Sequence, residues 1–431
     1  MREVGKYENV ANGNICANAA KNATLRSVIS NRFAQVSNET ADSKLTRKEE
    51  LKKLGLTEEE VELEKAMYMY QCYPCLRNNI SSYIPILKEK VIGQDKALEM
   101  LTYVAYYNQY VNFIEEYTQN ENYKRKSMLL IAPTGCGKST MLRALEKAFN
   151  VPVYRANITA TTSAGYIGDK VESMLVGLIK RADGDINEAQ RGILLIDEID
   201  KKITSTTTDR DVAGKAVQQE LLKLFEKGTV SVPFSRKSNG KDVQTIDFET
   251  GSLTIILAGA CVGLDEVRKN RLGTKKTIGF TSVKEEKNDS NEYIAEDLIE
   301  YGFIPELVGR IDIIQELEPY TQSKLIDIIY FSDESSMQEH VRILVSLGVE
   351  EVLIDGALWE IIAEKILENN LGIRELNRIM TKLFYPVLYE AFQHVGEGSC
   401  KIDADGSYTL RYKDEDVIYT GKGIEIGEYL E

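Results

Sequence analysis

Ala132-Pro133-Thr134-Gly135-Cys136-Gly137-Lys138-Ser139-Thr140 carries the most specific pattern in the chain. It follows an apolar run, Met128-Leu129-Leu130-Ile131, and precedes a helical pattern from Met141 to Phe149. A buried strand, a glycine-rich turn ending in Gly-Lys-Ser and a helix make a phosphate-cradling loop. Gly135 and Gly137 let the backbone curl so that successive N–H groups point at one phosphate chain. The helix starting near Lys138 adds the positive end of its dipole. Lys138 would reach the β- and γ-phosphates, and the Ser139 hydroxyl would ligate magnesium. Pro133, Thr134, Cys136 and Thr140 complete the loop around the nucleotide. The pattern's first glycine is replaced by Ala132, whose methyl group fits if φ stays negative.

Outward from this loop, apolar strand-like runs alternate with helical patterns between Ile80 and about Pro319. Strands are expected over Ser127–Ile131, Val151–Arg155, Gly192–Ile196 and Leu253–Leu257. Helices are expected over Asp95–Val111, Lys138–Phe149, Asp169–Arg181 and Val217–Glu226. Such alternation predicts an α/β domain, residues 79–319, with a mostly parallel sheet sandwiched by helices. From Thr321 the pattern turns helical: Thr321–Tyr330, Ser335–Leu347, Asp355–Asn369 and Ile373–Phe392. Near the end, Cys400–Asp403 and Tyr408–Tyr412 flank Asp405-Gly406, a hairpin signal. Residues 320–431 thus read as a smaller, mainly helical domain. Residues 1–78 form an extension: a polar leader to about residue 44, then a helical hairpin marked by Thr46…Glu49 and Thr57…Glu60.

Composition narrows the class. The chain has 431 residues, a hydrophobic fraction of 43% and a charged fraction of 28%, the profile of a globular protein. Its net charge of −14 repels nucleic acid and anionic membranes in bulk. The longest apolar run, Leu253 to Leu264, is too short to span a bilayer, and no apolar signal region opens the chain. Six scattered cysteines point to a reducing compartment, hence the cytoplasm. Cys72-Tyr73-Pro74-Cys75 has no second ligand pair nearby, so two incidental thiols outweigh a zinc or redox role. Two histidines in all argue against histidine chemistry.

Four further segments bear on function. Ile193-Leu194-Leu195-Ile196-Asp197-Glu198 is a buried strand ending in two acids. Asp197 would hold the magnesium and Glu198 would polarise the attacking water. The phosphate loop and this acidic tip are expected on neighbouring strands of one sheet. Gly165-Tyr166-Ile167-Gly168 is either a turn whose Tyr packs on its own domain or a mobile paddle that grips polypeptide. Arg310, closing Phe303-Ile304-Pro305-Glu306-Leu307-Val308-Gly309-Arg310, is either a solvated residue or an arginine finger for a neighbour's γ-phosphate. Arg374, in Gly372-Ile373-Arg374, opens a helix from which it would reach the nucleotide. Thr277-Ile278-Gly279-Phe280, inside a highly charged segment, is either a small local core or an exposed docking tip.

In this order the motifs resemble those of the ClpX family of AAA+ unfoldases, from about Ile80 to Lys422. Val91-Ile92-Gly93-Gln94 is similar to the family's opening motif, which places Ile92 near the adenine. Gly165–Gly168 resembles the first pore loop, with Tyr166 and Ile167 as its gripping side chains. Arg210-Asp211-Val212 resembles the second. Ile304–Arg310 resembles the segment carrying the trans arginine, and Gly372-Ile373-Arg374 the lid sensor. Ile278-Gly279-Phe280 matches the tripeptide that docks into ClpP. A sister unfoldase, HslU, carries a large insertion before the magnesium-binding strand; here only about thirty residues separate Gly168 from Asp197. The chain departs from the family in lacking its four-cysteine zinc domain, in having Arg236-Lys237-Ser238 where the family has Arg-Lys-His, in an extra residue near Lys227, in Ala132, and in a strand Leu253–Ala258 without a polar sensor at its tip.

The resemblance implies an ATP- and Mg2+-dependent protein unfoldase and translocase, with no zinc. It implies a homo-hexamer threading unfolded or tagged proteins into a ClpP-type peptidase, with neither nucleic acid nor membrane as partner. The alternative is a stand-alone remodelling chaperone without a peptidase.

Overall fold

The computed structural model describes residues 57–118, 122–133, 135–160, 171–203, 212–233, 245–273, 291–332, 335–368, 372–413 and 418–422. These fall into two compact units, divided at Tyr73/Pro74 with residues 112–123 joining the first.

In the first unit, the expected second helix of the hairpin spans Glu58–Cys72; its first helix falls outside the described residues. The helix expected over Asp95–Val111 continues to Thr118, and its last turns belong to this unit. Phe113 and Tyr117 keep the i, i+4 spacing there. Their rings lie 6.0 Å apart, Tyr73 meets Phe113 edge-on at 5.7 Å, and Tyr68 Oη donates to Glu116 at 2.7 Å. Aromatic pairing therefore carries the helix past the expected end.

The second unit is built on five parallel strands: β1 (Met128–Ile131), β2 (Val153–Asn157), β3 (Ile193–Asp197), β6 (Thr254–Gly259) and β7 (Ile313–Glu316). Between β3 and β6 the chain makes an antiparallel ribbon, β4 (Thr229–Pro233) and β5 (Thr245–Glu249), which the sequence reading missed. The sheet order is β2-β3-β6-β1-β7. One expectation is corrected here: the phosphate-loop strand and the acidic strand are not neighbours, because β6 lies between them. All six residues of β6 are buried, which suits a central position flanked by strands on both sides. The edge strand β7 was not expected either; its half-buried Ile-Ile-Gln-Glu gives no apolar run.

The helix Lys138–Phe149 packs through Met141, Leu142, Ala144, Leu145 and Phe149. Their spacing follows one face of a helix, and each large side chain buried contributes about 1.5–3 kcal/mol. Asn150 ends the helix at φ 53° in the left-handed region, donating its N–H to the Glu146 carbonyl at 2.9 Å. The helix Val171–Arg181 buries Val171, Met174, Leu175, Leu178 and Ile179. These join the core around Leu194, Ile196, Ile255 and Leu257.

The C-terminal region has its own core, centred on Trp359, Leu358, Phe384 and Leu410. Its helices are Gln322–Phe331, Ser336–Ser346, Gly356–Glu368 and Gly372–Gln393, close to the expected spans. A four-stranded sheet accompanies these helices. The expected hairpin is β9 (Gly398–Ile402) with β10 (Ser407–Tyr412). Gly406 turns it at φ 82°, and Asp405 Oδ1 accepts the Ser407 N–H at 3.0 Å. β11 (Ile418–Lys422) extends it, and β8 (Val349–Ile354) pairs parallel to β9. β8 escaped notice because its Val-Glu-Glu-Val-Leu-Ile has no clean alternation. Among the described residues no helix is long and apolar enough to cross a membrane.

Candidate functional site at the carboxyl ends of the strands

Parallel strands deliver all their carboxyl ends to one edge of the sheet, where ligands bind. β1 ends at Ile131, and Ala132 is fully buried beyond it. Its N–H donates to the Gly259 carbonyl at 2.8 Å, anchoring the loop to β6. Ala132 is not among the positive-φ residues, so its methyl group is accommodated. Gly135 and Gly137 both sit at φ 87°, where a Cβ is disfavoured. Gly137 is the N-cap of the helix beginning at Lys138. The first N–H groups of that helix have no carbonyl within it to bond, so they face the loop with the positive end of the dipole.

Lys138 Nζ donates to the Ala132 carbonyl at 3.0 Å and stands 3.6 Å from Asp197 Oδ1. The lysine thus crosses in front of β6 to the acidic strand, although the strands are not adjacent. Asp197 is 1% exposed, so its charge needs partners. The Glu198 N–H donates to Asp197 Oδ1 at 2.8 Å. Arg155 supplies the rest: Nε donates to Asp197 Oδ2 at 3.0 Å, Nη2 donates to the same oxygen, and Nη1 donates to Ser139 Oγ at 2.6 Å. Ser139 Oγ and the Asp197 carboxylate therefore converge on one cation. Two oxygen ligands turned to a common positive group fit a divalent metal, which takes hard oxygen donors.

Glu198 lies half-buried with φ 61° and ψ 33°, a left-handed conformation rare for a residue with a side chain. Asn157 Nδ2 donates to its Oε2 at 3.1 Å. Asn157 is level with Asp197 in the β2–β3 register, so neighbouring strand ends place the amide beside the acid. At the tip of β6, a Cβ on Gly259 would come within 2.7 Å of Asp200 Oδ1. Glycine there admits Asp200, which puts a carboxylate beside a strand end that carries no polar side chain itself.

The loop also meets the C-terminal region. A Cβ on Gly135 would lie 3.3 Å from the Ile373 nitrogen, and one on Gly137 would lie 2.9 Å from Tyr320 Oη. Burial pushes the Tyr320 hydroxyl up to about 12, with the nearby Cys136 thiol adding to the rise and a Gln94 hydrogen bond opposing it. Ile92, Tyr320 and Ile373 all pack on the C-terminal core. The Gln94 amide clamps the connecting segment, giving Nε2–H to the Glu318 carbonyl at 2.8 Å and accepting its N–H at 3.0 Å. Lys324 Nζ adds a bond to the Gly93 carbonyl at 3.1 Å. Cys136 is buried inside the loop; desolvation raises its pKa and the Lys138 charge lowers it, the first prevailing.

The structure thus brings together Lys138, Ser139, Asp197 and Glu198, with Pro133, Gly135, Cys136, Gly137 and Thr140 in the same loop. Ile92 packs on the C-terminal core. Arg310 is not brought to Lys138, Ser139, Asp197 or Glu198. Met128 pairs with Ile313, and Ser127 Oγ donates to the Arg310 carbonyl, so Arg310 lies at the amino-terminal end of the strands. The length of β1, roughly 13 Å, separates the two ends. Arg310 Nη2 instead pairs with Glu226 Oε1 at 3.0 Å. Arg374 lies in the first turn of the helix Gly372–Gln393, but its side chain falls outside the description. Val212 begins the helix Val212–Phe225, again without a described side chain. Thr134, Tyr166, Ile167, Arg210, Asp211, Ile278, Gly279 and Phe280 lie outside the described residues, as does Arg236-Lys237-Ser238.

Sequence reasoning missed Arg155, Asn157, Asp200 and Tyr320. The signal for the first two was present: Arg155 and Asn157, two residues apart, share one face of β2.

A family model described as AAA domain (Cdc48 subfamily) matches residues 124–314. The "ATP-dependent Clp protease ATP-binding subunit ClpX 2" of Wolinella succinogenes is 34% identical over 324 residues, 73% of this chain and 80% of that protein. The "ATP-dependent Clp protease ATP-binding subunit ClpX" of Treponema denticola is 38% identical over 317 residues, 71% of this chain and 75% of that one. With a parallel sheet flanked by helices, a phosphate loop at its carboxyl edge and relatives this similar along most of its length, the chain belongs to the ClpX family of AAA+ ATPases.

Proposed function

We propose that the chain is an ATP-driven protein unfoldase that threads unfolded or tagged proteins through a homo-hexameric ring into a ClpP-type peptidase. The observation that carries this reading is the convergence of Lys138, Ser139, Asp197 and Glu198 beside the Gly372–Ile373 helix start. In this reading the backbone from Gly135 to Thr140, with Lys138, holds the phosphate chain, and motif resemblance puts Ile92 near the adenine. Ser139 and Asp197 would hold a divalent metal, which would supply charge neutralisation to the phosphates. Glu198 orients the attacking water, and Asn157 holds its carboxylate until then. Arg310 serves the neighbour's site, which requires a head-to-tail contact that closes into a ring. Arg374 reports nucleotide state to the C-terminal region. Tyr166 and Ile167, with Arg210, Asp211 and Val212, grip substrate, and Ile278-Gly279-Phe280 docks the peptidase; motif resemblance supports these roles.

We place the domain boundaries at 78/79, a few residues past the Tyr73/Pro74 division between the compact units, and at 319/320. The separate cores on either side of Tyr320 support the second. The acidic surface and scattered thiols favour the cytoplasm and disfavour nucleic acid.

Glu198→Gln tests the site. ATP affinity should stay within a few-fold of wild type while kcat falls about 10²-fold or more, read by equilibrium binding and phosphate release. Undiminished turnover would refute the assignment. Degradation of a tagged folded protein with ClpP and ATP tests the partner, and Phe280→Ser should abolish it while sparing the ATPase.

A further inference from the structure

Arg155 sits on β2, beside the acidic strand. Its side chain is 41% exposed, yet its guanidinium reaches a carboxylate that is almost wholly buried. It donates to Asp197 Oδ2 through Nε and Nη2 and to Ser139 Oγ through Nη1. One planar cation therefore spans both oxygen ligands assigned to the metal. Lys138 occupies the other Asp197 oxygen at 3.6 Å. Nothing in the hydrolytic mechanism uses Arg155.

We propose that Arg155 is a built-in stand-in for the divalent cation, a positioning residue that keeps the metal site closed until metal and nucleotide arrive together. The proposal rests on the nucleotide-site reading above. Magnesium demands near-octahedral oxygen ligands at about 2.0–2.1 Å. A guanidinium 2.6 Å from Ser139 Oγ and bonded to Asp197 blocks that geometry. Arg155 must leave both groups before a metal can share them, and its half-exposed position gives it solvent to move into. Without the metal it stays, neutralising Asp197 and so lessening that carboxylate's repulsion of bare phosphates. Arg155 thereby narrows the gap between metal-free and metal-dependent nucleotide affinity. No bond is made or broken; one cation replaces another.

The test is equilibrium binding of a fluorescent ATP analogue to the full chain, in EDTA and in excess MgCl2. The quantity read is the dissociation constant in EDTA divided by that in MgCl2. Arg155→Met should raise the ratio about tenfold, because a charge-assisted bridge is lost from the metal-free state alone. Arg155→Lys should give an intermediate rise, since a point charge satisfies Asp197 without spanning to Ser139. A purely structural arginine would lower Tm and both affinities together and leave the ratio where it was. An unchanged or lower ratio in Arg155→Met overturns the proposal. Should circular dichroism show that variant unfolded, an unchanged ratio in Arg155→Lys does the same. Failure of the wild type to bind the analogue with MgCl2 would count against the nucleotide site itself, a distinguishable result.

Discussion

Glu198 shows what a single residue is made to do here. Its backbone is left-handed, a conformation that costs of order 1–3 kcal/mol for a residue with a side chain. The buried strand before it and the Ile199–Lys202 turn after it hold it there. The gain is placement, since the carboxylate meets Asn157 beside the site. Cys136 is a second case. Its thiol lies inside the loop that would wrap phosphate, and burial outweighs the neighbouring Lys138 charge in raising its pKa. The thiolate fraction at neutral pH is therefore small. Iodoacetamide at pH 7.5 should modify Cys136 far more slowly than free cysteine, with the rate climbing as the pH rises and falling further with bound nucleotide. Peptide mapping by mass spectrometry checks this; labelling as fast as free cysteine would show that the loop is open.

At the scale of elements, close approach of the helix Val171–Arg181 to β2 depends on Gly177. A Cβ there would fall 2.1–2.6 Å from the Tyr154 ring. Alanine would favour an isolated helix by about 1 kcal/mol, but overpacking costs about 1–3 kcal/mol, so the clash should win. Gly177→Ala should lower the urea midpoint without changing the slope; an unchanged or higher midpoint would mean that Tyr154 moves aside freely. Elements with strong patterns were legible in advance. The helix Lys138–Phe149 has the bounds its pattern predicts, and β1 and β3 match theirs to within a residue. β7 and β8 were not legible, because Ile-Ile-Gln-Glu and Val-Glu-Glu-Val-Leu-Ile owe their strand state to the partners they meet, β1 and β9.

For the whole molecule, the decisive fact is that one chain carries Lys138 and Arg310 at opposite ends of its sheet. The role proposed for Arg310 therefore requires the ATP of another subunit. Arg310→Ala should keep nucleotide binding and lose about 10³-fold or more in turnover. Mixing Arg310→Ala with Glu198→Gln subunits should restore part of the ATPase, since some interfaces then combine an intact Glu198 with an intact neighbouring Arg310. Measured ATPase in mixtures no higher than the sum of the separate variants would exclude a shared site. The Gln94 clamp on Glu318 and the Gly135 contact with Ile373 tie the phosphate loop to the C-terminal core.

The phosphate loop, the acidic strand end, the alternation that makes a parallel sheet and the family are all legible in the residues alone. These are local signals: glycines at positive φ, an apolar run, a fixed spacing to a lysine. Tertiary structure alone decided that β6 separates the two motif strands, and that Arg155 and Asn157 reach the acids of the next strand. It also decided that Arg310 faces away from its own loop. Strand order and register are fixed by pairing between segments far apart in the chain, and no window of sequence contains both partners.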